Sequence, residues 1–480
     1  MPRSFAIKLA ITFVAVLALR VQPNWLPLLR LNELQNAAPG STLLTKDLIE
    51  AIEDAYLRQP WRGDRAEAAG LAALAVGDYD SAQIRLGAAV GIKGWTPNLR
   101  SAMGDAHKGS GDLTKAIEQW ELALPDKGTD PYLLAKLSNA YESLGRYDDA
   151  SAMLRTLVAI QPDNAIARYR FGAILAITDP ASAPAHLEVA AALDESVKPL
   201  ADSLKKAVAA GLDSDDPAYN AGVIGYTLVG LQEYALAKQS LLNAITAKPD
   251  FAQAHAYLGL AEDRLGNNGL YAYQRALALD DNLALSHYLL GLHYRRQRDN
   301  AQAIPALKRA FELDPSYASA AAELGSAYVE EADLQTAELW YAQAVNIAPD
   351  DASFWLLLAQ FYLDNELKVA EAGLPSAQQA AALAPESAAA LDAVGYGYYL
   401  LGQFDLAEPE LLKAQALDSR SAKVYFHLGL LYLDTDRPTE AKFALETTIG
   451  LDPEGPLAGS ALTAMARLGI SPGISPTPAP

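Results

Sequence analysis

No cysteine occurs in the 480 residues. That excludes disulfides, thiolate zinc sites, cysteine nucleophiles and lipidation on cysteine. Basic charge is scarce: 38 Lys and Arg stand against 58 Asp and Glu, for a net charge of −20. A surface of that sign repels phosphate backbones and argues against nucleic acid as a partner. The acidity also keeps a long exposed surface in solution. Nor does any apolar run reach bilayer length. The longest candidate, Leu9 to Leu19, spans about 16 Å as a helix, against a hydrocarbon core of roughly 30 Å.

Signatures of chemistry are missing too. There is no H-E-x-x-H, no G-x-x-x-x-G-K-[ST] and no G-x-S-x-G. His287 and His293 are six apart, a spacing that does not share a helical face. Asp213, Asp215 and Asp216 lack the central glycine and terminal glutamate of a calcium loop. The glycines from Gly395 to Gly402 sit in a helical pattern, not after a strand. No catalytic residue, cofactor site or metal site is assigned, and the chain reads as a non-enzyme.

What is present is a ruler. From Pro60, a boundary residue recurs at Gly94, Gly128 and Pro162, then at Asp215, Pro249, Asp281, Pro315, Pro349, Pro385, Ser419 and Pro453. The separations in the second run are 34, 32, 34, 34, 36, 34 and 34. A fixed period in this range means stacked supersecondary units. Each unit reads as two amphipathic helices around a turn, as at Val76-Gly-Asp-Tyr79, Leu144-Gly-Arg-Tyr147 and Leu401-Gly-Gln-Phe404. Closing segments such as Leu313-Asp-Pro and Leu451-Asp-Pro end the second helix and open the next. Small residues mark close approach: Gly70, Gly104, Gly172, Gly225, Gly259, Gly291, Gly325, Ala359, Gly395 and Gly429 in first helices, and Ala82, Ala116, Ala150, Ala237, Ala303, Ala337, Ala407 and Ala441 in second helices.

The run Ala321-Ala-Glu-Leu-Gly-Ser-Ala-Tyr328, with Ala337, Tyr341, Ala344 and Pro349, resembles the tetratricopeptide repeat pattern. Tyr425-Phe-His-Leu-Gly-Leu-Leu-Tyr432 with Ala441 repeats it. The resemblance covers residues 60–452 and implies an all-α, right-handed α-solenoid (superhelix) of about eleven 34-residue helix-turn-helix repeats. It divides as four repeats over 60–195, an inserted helix or hinge over 196–214, and seven repeats over 215–452. A C-capping helix is expected over 453–470 and a disordered proline-rich tail over 471–480. Ahead of the repeats, 23–59 reads as a linker and an N-capping helix.

At the N-terminus, Arg3 and Lys8 precede the apolar run and Arg20 closes it. Length and basic flank match a secretory signal or a short membrane anchor over 1–22. The expected location is therefore the cell membrane or an exported, periplasmic compartment, ahead of the cytoplasm.

In stacked helix pairs of this family the first helices line the concave face. The resemblance then places slots 4, 7, 11 and 14 residues after each boundary in the groove. These hold Tyr132, Asn139, Tyr169, Tyr219, Tyr226, Tyr288, Leu292, Arg295, Tyr396, Tyr399 and Phe426. The second slot never carries Lys or Arg, which rejects the clamp that grips acidic chaperone C-termini. Tyrosine offers a large contact area and one polar tip, suited to protein or peptide recognition. The expected function is a non-catalytic interaction scaffold organising a cell-envelope assembly. A soluble cytoplasmic adaptor, co-chaperone-like in kind, is the alternative. An accessory of glycan processing or polysaccharide synthesis is a further one. The pattern sets neither the partner's identity nor an oligomeric state.

Overall fold

A computed structural model describes residues 46–124 and 129–467. The signal or anchor segment 1–22, the linker up to residue 45 and the tail 471–480 lie outside the described residues. Every regular element among the described residues is helical, and the chain divides into two compact units, Met1–Pro249 and Asp250–Pro480.

The first unit opens with α1 (Lys46–Arg58), which caps the stack by burying Ile52 and Ala55 against Ala68, Ala69 and Ala72. Hairpins follow as α2 (Gly63–Ala75) with α3 (Tyr79–Lys93), α4 (Pro97–Gly109) with α5 (Leu113–Ala123), and α6 (Pro131–Ser143) with α7 (Tyr147–Ile160). Next come α8 (Ala165–Thr178) with α9 (Ala183–Leu193), the additional α10 (Lys198–Leu212), and α11 (Pro217–Gly230) with α12 (Tyr234–Ala247). Helix α10 packs against both α9 and α11, while α12 reaches back to α8. The Tyr147 hydroxyl donates to the Ala235 carbonyl at 3.0 Å, and Asn243 Nδ2 donates to the Ile177 carbonyl at 3.3 Å. The fifth hairpin thus touches the third and fourth directly.

The second unit holds α13 (Ala252–Arg264) with α14 (Leu270–Leu279), α15 (Ala284–Arg296) with α16 (Asn300–Leu313), and α17 (Ala318–Glu330) with α18 (Leu334–Ile347). It continues with α19 (Ala352–Asp364) and α20 (Leu374–Leu383), α21 (Ala388–Leu400) and α22 (Phe404–Leu417), then α23 (Ala422–Asp434) and α24 (Pro438–Leu451), closed by α25 (Pro456–Arg467). The departures from the 34-residue ruler have local causes. The two surplus residues of the unit starting at Pro349 are absorbed by a π turn, Val369–Gly373, behind a left-handed Lys368. The short unit starting at Pro249 has a ten-residue α14.

One turn type serves both helices of a hairpin. At the end of α2, the Asp78 N–H bonds the Ala73 carbonyl at 2.9 Å and the Gly77 N–H bonds the Leu74 carbonyl at 3.1 Å, with Gly77 left-handed at φ 79°. This is the C-terminal closure that suits glycine. The Asp78 side chain then accepts from the Ser81 N–H at 3.1 Å and caps α3. Several repeats place other residues in that left-handed slot, among them Arg298 (φ 61°) and Ala332 (φ 57°). At the other end of the hairpin, Pro97, Pro131 and Pro217 open helices behind Thr96, Asp130 and Asp216, whose side chains cap them.

Inside each hairpin a first-helix glycine faces a bulky second-helix side chain. A Cβ on Gly70 would sit 2.7 Å from Leu86 Cγ, and one on Gly395 would sit 2.6 Å from Leu411 Cγ. Gly225 meets Leu241, Gly291 meets Leu307, and Gly104 meets the Trp120 indole in the same way. These partners are fully buried, as are the alanines Ala82, Ala116, Ala237 and Ala303.

Within a single hairpin, Gly70→Ala is expected to destabilise the chain by about 1–3 kcal/mol through overpacking. Gly87→Ala, in α3 with open space around it, should raise stability by about 0.5–1 kcal/mol. Urea unfolding followed by far-UV circular dichroism checks both. Shifts of the same sign would show that the Gly70 contact does not set the helix spacing.

Candidate functional site

The first helices carry the expected recognition residues, and their environments differ. Among those of the first unit, Tyr132, Asn139 and Tyr219 are exposed and Tyr226 is half-buried. Tyr169 is buried. Its hydroxyl donates to Glu233 Oε1 at 3.4 Å, and burial followed by the Glu233 charge pushes its ionisation well above the ordinary phenol value. Next to it, Arg170 bonds Glu233 at 2.7 Å and pairs with Glu142 of α6. Here a guanidinium spans three hairpins, and Tyr169 belongs to that joint more than to a free face.

In the second unit, Tyr288 and Leu292 pack with Leu285 and Leu260 around the buried Leu289. The Tyr288 ring lies 4.6 Å from Tyr317. Burial, with Glu323 nearby, raises the Tyr288 hydroxyl to about 12, so it stays a neutral donor. Arg295 reaches Glu323 at 3.4 Å and Glu330 at 3.3 Å on α17. Further along, Tyr396 stacks on His427 with ring centroids 3.9 Å apart and an interplanar angle of 3°. Tyr399 lies beside Tyr396 and donates to Asp434 at 2.6 Å. Phe426 packs against the cluster of Leu445, Ala461 and Met465. The structure therefore joins Tyr288, Leu292 and Arg295 on one helix. It also joins Tyr396 and Tyr399 with the neighbour of Phe426.

Two buried acid–histidine pairs were not foreseen. Asp263 accepts from the Gly269 N–H at 2.8 Å and from the Tyr273 hydroxyl at 3.1 Å, and it meets His293 Nδ1 at 2.7 Å and Arg296 at 2.6 Å. The shortened α13–α14 hairpin makes this possible, because its turn brings the Gly269 N–H over the carboxylate. Asp392 meets His427 Nδ1 at 2.8 Å. The partners are 30 and 35 residues apart, close to one repeat length. A search for complementary residues at that separation would have found them. Each pair bolts one first helix to the next. Asp216, read as a poor calcium candidate, caps α11 by accepting from the Ala218 N–H at 2.9 Å. No group of three or more metal-ligating side chains gathers among the described residues.

A tetratricopeptide repeat model matches residues 294–361, and a second such model matches 131–164 and 422–454. Superkiller protein 3 of Schizosaccharomyces pombe is 25% identical over 168 residues, 34% of this chain and 12% of that protein. The chain thus spans about an eighth of the length of that curated relative. The solved Cut9–Hcn1 assembly of the APC/C is 15% identical with a TM-score of 0.41, covering 95% of this chain and 98% of that one. Yeast Tom70 is 18% identical with a TM-score of 0.39, covering 86% and 97%. The pilF protein of Pseudomonas aeruginosa is 19% identical with a TM-score of 0.39, covering 44% and 96%. Over those matched segments the helical hairpins are tetratricopeptide repeats, and the chain is similar to tetratricopeptide repeat proteins. Repeats of this kind are typically non-catalytic and bind protein or peptide partners.

The Asp263 joint predicts a pH dependence. Burial alone would raise this carboxyl, but the bonds from His293, Gly269 and Arg296 outweigh it and hold the group below the ordinary value. A depressed folded value adds stability that is present above about pH 4, the unfolded value, and lost as pH falls through the folded one. Asp263→Asn should lower stability at pH 7 by about 2–3 kcal/mol and flatten the acid limb of the melting curve. Superimposable acid limbs in thermal melts from pH 7 to pH 3 would sink this account.

Proposed function

We propose that the chain is a non-catalytic scaffold, exported or held at a cytoplasmic membrane by residues 1–22, that gathers partners of a cell-envelope assembly on its first-helix faces. The observation that carries the location is the pairing of Arg3 and Lys8 with the apolar stretch Leu9–Leu19 and the closing Arg20. No described helix is long and apolar enough to cross a membrane, so attachment rests on that segment. What supports the binding surface is the exposed Tyr132 and Tyr219 on α6 and α11, beside the half-buried Tyr226. Their rings offer apolar area with a polar tip, at the modest ordering cost of a stiff side chain.

Two measurements test this reading. A C-terminally tagged chain should partition with membranes or the exported fraction, and deletion of residues 1–22 should return it to the cytosol. Cytosolic recovery of the intact chain would refute the location. Proximity labelling in the native host should identify partners whose capture falls at least about tenfold with Tyr132→Ala and Tyr219→Ala together. Helical content and melting should stay near wild type. Undiminished capture would remove these tyrosines from the recognition surface.

A further inference from the structure

The first two inter-repeat loops differ from those of the second unit. The last turn of α1 and the loop after it expose Leu57 (66%) and Trp61 (69%), and the last turn of α3 and the loop after it expose Ile92 (47%) and Trp95 (45%). The loops touch, because Gly63 lies against the side chains of Ile92 and Lys93. Four large apolar residues, two of them tryptophans, are thus exposed on one short edge. Single exposed apolar residues are ordinary, but a gathered set marks an interaction site.

Cations border this edge. Arg58 pairs with Asp54 at 2.8 Å, Arg62 with Asp64 at 2.8 Å, and Lys93 with Glu67. The Arg100 guanidinium lies 4.5 Å over the Trp95 ring. Four cations against three carboxylates leave the edge slightly positive, in a chain of net charge −20. Five inter-repeat loops of the second unit carry Asp280 and Asp281, Asp314, Asp350 and Asp351, Glu386, or Asp452 and Glu454, with no basic residue beside them, and a sixth sets Asp418 beside Arg420. An anionic lipid surface repels such loops and tolerates the first two.

We infer that the edge formed by Leu57, Trp61, Ile92 and Trp95 rests on the anionic surface of a lipid bilayer. Tryptophan rings favour the headgroup level, and Lys and Arg flank them with their charged ends in water. A basic surround adds attraction to anionic lipid. The inference rests on the membrane attachment of residues 1–22 proposed above. The linker of residues 23–45 can span at most about 80 Å, and α1 is the first described helix after it, so the edge at the end of α1 lies within reach of a membrane held by residues 1–22. Lipid is favoured over a protein partner because this edge combines exposed tryptophans with flanking cations and lies within reach of the tether.

Because the chain has no cysteine, a single probe can be placed on it. Full-length Ile92→Cys and Val76→Cys variants would each carry one fluorophore. Val76 sits in the α2–α3 turn, about 20 Å away along the hairpin. They are mixed with vesicles of phosphatidylethanolamine and phosphatidylglycerol, with and without acyl-chain bromine as a quencher. Quenching is expected at position 92 and not at 76. Adding Trp61→Glu and Trp95→Glu should abolish most of it, while pelleting with vesicles and circular dichroism stay unchanged. Pelleting without quenching at 92 overturns the inference and leaves the attachment of residues 1–22 standing. Failure of the intact chain to pellet overturns both. Equal quenching at the two positions overturns the assignment of this edge. A probe at 92 shielded only when protein is added, with vesicles having no effect, overturns lipid in favour of a protein interface.

Discussion

The close approach of the two helices in each hairpin is the constraint on which the molecule depends. It is met by leaving out a side chain on one helix and supplying a large one on the other: Gly70 on Leu86, Gly225 on Leu241, Gly291 on Leu307, Gly395 on Leu411 and Gly429 on Leu445. A helix-interior glycine loses about 0.5–1 kcal/mol against alanine in propensity. The buried contact of a leucine or tyrosine against bare backbone more than offsets that, since burying such a side chain contributes roughly 1.5–3 kcal/mol. Alanines buried at the next hairpin seam extend the same logic. Because the hairpins bury their apolar faces mainly against adjacent ones, stability is largely a chain of nearest-neighbour terms, with the fifth hairpin's contact on the third as an added link.

Polar joints then select which neighbour and which register. Arg170 ties Glu142 and Glu233, Lys136 ties Asp105 at 2.7 Å, and Arg437 ties Glu408 at 2.6 Å. Partly exposed pairs of this kind add little stability. The buried Asp263–His293 and Asp392–His427 contacts differ, because an unmatched buried carboxylate would be strongly unfavourable. A helix displaced by one turn would strand each carboxylate, so these contacts penalise wrong register more than they strengthen the right one.

The hairpins were legible in the sequence because their causes are local and periodic. Glycine at Gly77 and Gly145 announces a left-handed closure, and the prolines announce new helices. The left-handed turns at Arg298 and Ala332 carry no such residue, so only the ruler revealed them. The bulky partners of the glycines went unread, since Leu86 or Leu411 looks like any core leucine until its opposite number is known. The acid–histidine joints were hidden for a different reason. They pair residues about one repeat apart, and a histidine judged only against others nearby, as His293 was against His287, shows no partner. Among the candidate recognition residues, sequence position placed Tyr132 and Tyr169 in one class. Arg170 and Glu233 draw Tyr169 into a joint between hairpins, whereas Tyr132 stands in solvent.

That division says how a repeat surface comes to recognise anything. The half-buried rings of Tyr288 and Tyr396 are held by neighbours, through Tyr317 and His427, and their hydroxyls remain protonated because burial disfavours the phenolate. Such rings are already ordered, so a ligand that covers them loses little further side-chain entropy. The exposed rings of Tyr132 and Tyr219 must be immobilised on contact and so contribute less per unit area. Rings that the stack has fixed in advance would cost a partner least to cover, while the exposed Tyr132 and Tyr219 would offer the larger free area. The same packing that holds one hairpin on the next also presents the side chains a partner would meet.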